Sequence, residues 1–97
     1  MGLPPRDPKE IAVDAKLYDD YVGRYEVTSV VISIVREGDH LFTQINGKKD
    51  EIFPESVRDY FSKTFGSQIT FVTDGDGRAT RLMLHEGGTD LYANRIE

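Results

Sequence analysis

The residues with types and spacing suited to chemistry are few: two histidines, the run Asp74-Gly75-Asp76-Gly77, and an arginine–aromatic pairing of Gly23-Arg24-Tyr25 with a late Arg95. The acidic run opens like a calcium loop, which wants an oxygen ligand at its fifth position, Gly at the sixth and Glu at the twelfth. Arg78, Ala79 and His85 stand there instead, so the run reads as a solvated hairpin turn. His85-Glu86 begins the zinc-protease pattern H-E-x-x-H, but Thr89 takes the place of the second histidine. His40 and His85 sit beside turns and lack an evident third metal ligand, so both read as surface polar residues. No serine lies in G-x-S-x-G or is followed three residues later by Lys, and Tyr92-Ala93-Asn94 is an isolated Y-x-N match. Acidic pairs of the glycosidase kind can be drawn, but most of these carboxylates sit in turns, where solvation accounts for them.

Arg95 has two readings. It can stack on Tyr25 and clasp the first strand to the last, since an Arg over an aromatic ring contributes about 0.5–2 kcal/mol. Alternatively it is a cationic anchor for a ligand carboxylate. The clasp is the simpler of the two.

These residues hang on elements that are mostly β. Val30–Arg36 is almost continuously apolar and β-branched, and His40–Asn46 alternates; Glu37-Gly38-Asp39 between them supplies a turn glycine. Around this hairpin, Arg24–Thr28, Glu51–Phe53, Tyr60–Phe65, Gln68–Thr73, Thr80–His85 and Asp90–Ile96 read as further short strands. Asn46-Gly47 and Asp74–Gly77 are strong turn signals, with Lys48-Lys49 extending the first loop and Pro54 stopping the strand after it. Ahead of the strands, Asp14 is set to cap one helix over Ala15–Tyr21, with Leu17, Tyr18, Tyr21 and Val22 on one stripe and Gly23 at its end. Residues 1–13, which hold three of the four prolines, read as a lead-in or linker, and 14–97 as the domain.

The expected fold is all-β with one short helix: an up-and-down antiparallel meander of about eight short strands, closed into a small barrel or a strongly curled sheet, with the helix plugging one end. Period-2 alternation places Tyr25, Val27, Ile32, Ile34, Leu41, Phe61, Ile69, Phe71, Leu82 and Leu84 inside. Phe42, Phe53 and Phe65 are further candidates to fill the interior.

Composition narrows the function classes. A formal charge of −5 with scattered Lys and Arg lacks the footprint of nucleic-acid binding and makes anionic membranes unlikely partners. Zero cysteines remove disulfides, thiolate catalysis and cysteine metal sites. No apolar run approaches the roughly 18 residues that span a bilayer, and Met1–Glu10 has no signal-peptide apolar segment. No motif calls for a cofactor or a metal, and the compartment is open.

Gly23-Arg24-Tyr25-Glu26, Arg36-Glu37-Gly38-Asp39-x-Leu41-Phe42, Ile52-Phe53-Pro54-Glu55-Ser56, Ile69-Thr70-Phe71-x-x-Asp74 and Leu84-His85-x-Gly87-Gly88 form an ordered series over Leu17 to Ile96. In this the chain resembles the small lipocalin-like domain of unknown function often attached C-terminally to β-lactamase-like serine hydrolases. The resemblance implies a compact antiparallel barrel, an accessory role with no catalytic residue on this segment, and a parent that is periplasmic or secreted. Gly23-x-Tyr25 with Arg95 is also similar to the lipocalin Gly-x-Trp strand and its packed arginine, with Tyr in place of Trp.

The expectation is therefore a non-catalytic accessory domain that docks on a parent hydrolase, mediates oligomerisation or shapes substrate access. The alternative is a lipocalin-like binder of a small apolar molecule, with Tyr25, Thr43, Phe61, Phe71 and Arg95 as candidate ligand-binding residues. Val30–Val35 is apolar on both faces, and a one-layer barrel buries only the inner face. Val31, Ser33 and Val35 are thus candidate interface residues, covered by the segment around Ile11 and Val13, by a parent domain, or by a second copy in a homodimer. A filled barrel favours the accessory reading; a lined pocket with a polar group favours the binder.

Overall fold

The computed structural model describes residues 11, 13–64, 67–86 and 88–97, with the side chain of residue 86 left aside. Eight strands form a closed antiparallel barrel in simple meander order, each pairing with its neighbours in sequence and β8 closing on β1. They are β1 (Gly23–Val27), β2 (Val30–Glu37), β3 (His40–Ile45), β4 (Lys48–Pro54), β5 (Asp59–Ser62), β6 (Gln68–Thr73), β7 (Ala79–Glu86) and β8 (Thr89–Arg95). Closure through Tyr25↔Arg95 and Glu26↔Asn94 leaves no open sheet edge. Tight turns set the register. Asn46 and Gly47, at φ 52° and 81°, make the mirror-image turn that matches strand twist, and Gly38 turns β2 into β3 at φ 62°.

Side chains alternate across the sheet, so the inside is read directly from burial. Tyr25, Ile32, Ile34, Leu41, Ile69, Phe71 and Leu82 lie inside as their alternation predicts, with Val27 and Leu84 packed against them. Tyr18, Tyr21, Ile52, Tyr60, Ala79 and Ala93 complete this core. At β2, Ile32 and Ile34 are buried while Val31, Ser33 and Val35 alternate outward and are half-buried. The stripe on the short helix is also as expected: Tyr18 and Tyr21 are buried and Leu17 and Val22 pack beside them.

Several expectations are corrected. The helix is a 3-10 helix over Ala15–Asp20, closed by i→i+3 bonds such as Tyr21 N–H to Tyr18 O at 2.9 Å, with Asp14 capping it through the Lys16 N–H. Gly23 is not its left-handed cap; it opens β1. Glycine is needed there because a Cβ would stand 2.5 Å from the Glu97 carbonyl and 3.0 Å from Arg95 Nε. Phe61 is buried as expected, but not in the inner cluster: Tyr60 takes the inner position on β5, and the Phe61 ring packs on the other side, 5.7 Å from Phe53. Phe42, between the buried Leu41 and Thr43, also faces outward, so tyrosines rather than phenylalanines supply most of the aromatic rings inside. Phe65 lies outside the described residues. β4 begins at Lys48, not after a loop, and β5 spans only Asp59–Ser62. The Ile11 N–H donates to Pro54 O at 2.9 Å, which sets it beside β4, two strands from Val31 and Val35.

Candidate binding cavity

The two ends of the barrel are built from different chemistry. At one end the 3-10 helix pushes Tyr18 and Tyr21 into the barrel, where they meet Tyr25, Tyr60 and Phe71. Tyr21 stacks on Phe71 with centroids 4.2 Å apart and planes 8° from parallel, and Tyr60 meets Phe71 edge-on at 5.4 Å. Their hydroxyls are satisfied by main chain: Tyr21 donates to Val57 O at 2.7 Å and Tyr25 to Tyr21 O at 2.7 Å. Burial, the largest cause, pushes the Tyr21 and Tyr25 hydroxyls up to about 12 and raises Tyr60 further, because the phenolate would lose its water.

The same end is latched by Arg95. Its guanidinium donates to Ala79 O at 2.9 Å, Val22 O at 2.8 Å and Asp20 O at 3.4 Å, and its Nε donates to Glu97 O at 3.1 Å. The guanidinium carbon lies 6.0 Å from the Tyr25 ring centroid. These contacts join the helix, β7, β8 and the last residue. They follow the clasp, since the donors meet carbonyls at the filled end.

The other end is open. A cavity of about 950 Å³ enters the barrel there, lined from the turn between β3 and β4, from β5 and from β7. Its floor is apolar: Ile32, Ile52, Ile69 and Leu84. Above the floor, Thr43, Asp50 and Ser62 form a polar layer, and Lys48 and Ile45 stand at the mouth. The positions follow from pairing. Thr43 is opposite Asp50 and Ile45 opposite Lys48, so the inward face of β3 carries its alternation into β4. The Ser62 hydroxyl donates to Asp50 Oδ2, and the Thr43 hydroxyl reaches Asp50 O at 3.4 Å.

Of the candidate ligand-binding residues, only Thr43 lines this cavity. Tyr25 and Phe71 belong to the aromatic plug, Arg95 to the latch, and Phe61 is buried on the outer side of β5 against Phe53. Val31, Ser33 and Val35 share the outer face of β2. Lys48 and Asp50 are hidden in the sequence because Lys48-Lys49 reads as loop, and Ser62 because Phe61 beside it reads as the inward residue of its strand. Their signal is alternation: Lys48, Asp50 and Ile52 are two apart and share one face.

The remaining motifs have local partners. Asp74 Oδ1 accepts from the N–H groups of Asp76 and Arg78 at 2.8 and 3.1 Å, which closes the turn into β7. His40 bonds Glu51. His85 Nδ1 lies 2.7 Å from Asp90 Oδ1, and its Nε2 lies 3.0 Å from the Thr70 hydroxyl, which donates to Asp59 Oδ1 at 2.7 Å. Arg81 sits over the Tyr92 ring at 4.5 Å.

With the barrel and its cavity described, comparison with known proteins places the chain. It is 30% identical over 95 residues to penicillin-binding protein 4* of Bacillus subtilis (strain 168), a match that covers 96% of this chain and 21% of that protein. The chain thus spans about a fifth of the length of that relative. The family described as "Domain of unknown function (DUF3471)" matches residues 7–95. This match takes in nearly the whole chain, all eight strands and the cavity-lining residues included, and the chain belongs to the DUF3471 family.

Proposed function

We propose that this domain is a non-catalytic accessory module of a larger chain of the β-lactamase-like serine hydrolase kind, where it docks and shapes what reaches a neighbouring active site. The observation that carries this reading is the alignment: nearly all of this chain corresponds to about a fifth of a penicillin-binding protein. The fold is consistent with it, because closure and an aromatic plug let a small barrel hold its shape as a unit beside another domain. Reaction with a fluorescent penicillin tests the reading. The isolated domain is expected to take no covalent label. Penicillin-binding protein 4* lacking the matching stretch is expected to remain folded by circular dichroism and still be labelled. A labelled isolated domain, or a folded truncation that no longer reacts, overturns the proposal.

A second reading, a binder of a small molecule, is favoured by the cavity. Its volume of about 950 Å³ is at the upper end of the range for small-molecule sites, and it joins an apolar floor to a few polar groups. The two readings are compatible, since a module beside an active site can hold a substrate or product in its own cavity.

A further inference from the structure

We propose that the open-end cavity takes a small zwitterion carrying apolar groups, about the size of a dipeptide, with its ammonium at Asp50 and its carboxylate at Lys48. This rests on the binder reading above and names its ligand class. It starts from the run Lys48-Lys49-Asp50-Glu51 at the start of β4. In a strand these four charges divide between two faces. The outward two are paired on the surface: Lys49 with Glu37, its ammonium also 5.2 Å from the Phe42 ring, and Glu51 with His40. The inward two, Lys48 and Asp50, line the cavity and form no ion pair with each other or with another described residue. Lys49 and His85 also reach the cavity lining, but Lys49 is paired with Glu37 and His85 with Asp90, so the charges the cavity presents without an ion-pair partner are Lys48 and Asp50, at successive inward positions of a single strand.

Their placement is ordered by depth. Asp50 is half-buried beside Ser62, which is only 4% exposed and gives its hydroxyl to one carboxylate oxygen, Oδ2. Asp50 itself lines the cavity, so its carboxylate is available there to an ammonium or another donor. Lys48 stands further out, opposite Ile45 at the mouth. Two residues along a strand separate their Cα atoms by about 6.6 Å, close to the roughly 7 Å that an extended dipeptide spans. Ile32, Ile52, Ile69 and Leu84 lie below and take apolar side groups. A neutral apolar ligand would desolvate Asp50 without a partner, and a simple anion held at Lys48 would leave that carboxylate unpartnered beneath it. A zwitterion satisfies both charges in the order the cavity presents them.

Isothermal titration calorimetry on this chain decides the matter with three probes: leucyl-leucine, its N-acetyl derivative and its C-terminal amide. The free dipeptide is expected to bind at least tenfold more tightly than either blocked form. Asp50→Asn, which keeps an acceptor for Ser62, should erase the preference over the N-acetyl form. Lys48→Gln should erase the preference over the amide. Equal binding of all three probes to the unaltered chain would overturn the zwitterion and leave a binding cavity in place. Binding of none of them, together with no fluorescence enhancement of the neutral dye Nile red, would overturn both the zwitterion and the binder reading. The probe series on the unaltered chain decides even if a variant fails to fold.

Discussion

The sealed and open ends of this barrel are made from the same alternating strands, yet they use their inward positions in opposite ways. At the sealed end those positions carry Tyr25, Tyr60 and Phe71, joined by Tyr18 and Tyr21 from the helix, and each ring packs on another. At the open end they carry Thr43, Asp50, Ser62 and Lys48 above a floor of isoleucines and leucine. Both ends are built on one closed sheet, so the difference lies in the inward side chains and in the helix that caps one end. Aromatic rings exclude water and bind the helix to the strands; hydroxyls and charges keep the other end open to water and to solutes. A small barrel can thus concentrate stability at one end and leave the other free for binding.

This division can be broken first at its centre. Phe71 touches three aromatic partners, with centroids at 4.2, 5.4 and 6.2 Å, and is fully buried. Phe71→Ala is expected to cost about 3–5 kcal/mol in chemical denaturation, the range for a deleted core phenylalanine. A loss below about 1 kcal/mol would show that the plug is not the stabilising end.

The latch should be next in size. Arg95→Ala removes hydrogen bonds to four carbonyls together with the packing of the arginine stem. Because the carbonyls of Val22 and Ala79 are left without that donor, a loss of about 2–3 kcal/mol is expected. An unchanged melting temperature would remove the clasp and return Arg95 to the role of ligand anchor.

The last effect is graded and appears only at alkaline pH. Tyr21 and Tyr25 have folded-state values of about 12 against an ordinary 10. A raised value means that the unfolded chain loses its proton first, so stability is full below pH 10 and declines as pH rises from 10 to 12. Each tyrosine contributes a slope of at most about 1.4 kcal/mol per pH unit. Denaturation midpoints measured between pH 9 and 12 should fall, with Tyr25→Phe reducing the slope. A flat profile would mean that the plug admits water.

Legibility in the sequence followed the strength of the local signal. The Val30–Asn46 hairpin, the strand Gln68–Thr73 and the capped helix announced themselves through β-branched runs, turn glycines and Asp14. Phe61 did not. It belongs to a four-residue strand flanked by polar residues, where Tyr60 and Phe61 compete for the inside and local pattern cannot choose. Lys48 and Asp50 were hidden by their own charge, since consecutive charged residues after Asn-Gly read as loop. Their inward placement depends on pairing with β3.

What the sequence determined by itself is the class and order of the fold. Alternation and turn residues act within a few positions, so they specify short antiparallel strands in a meander and most of the inward set. Tertiary structure alone decided which end is filled. That depends on the helix and its cap delivering Tyr18 and Tyr21 to Tyr60 and Phe71, contacts between residues up to 50 positions apart in the chain. Closure of β1 on β8 likewise brings Arg95 to the carbonyl of Val22, 73 residues earlier. Such contacts form only when the ring shuts, because a loop of that length has no local preference for bringing its ends together. The cavity is what closure leaves at the end that, among the described residues, no Phe or Tyr side chain lines.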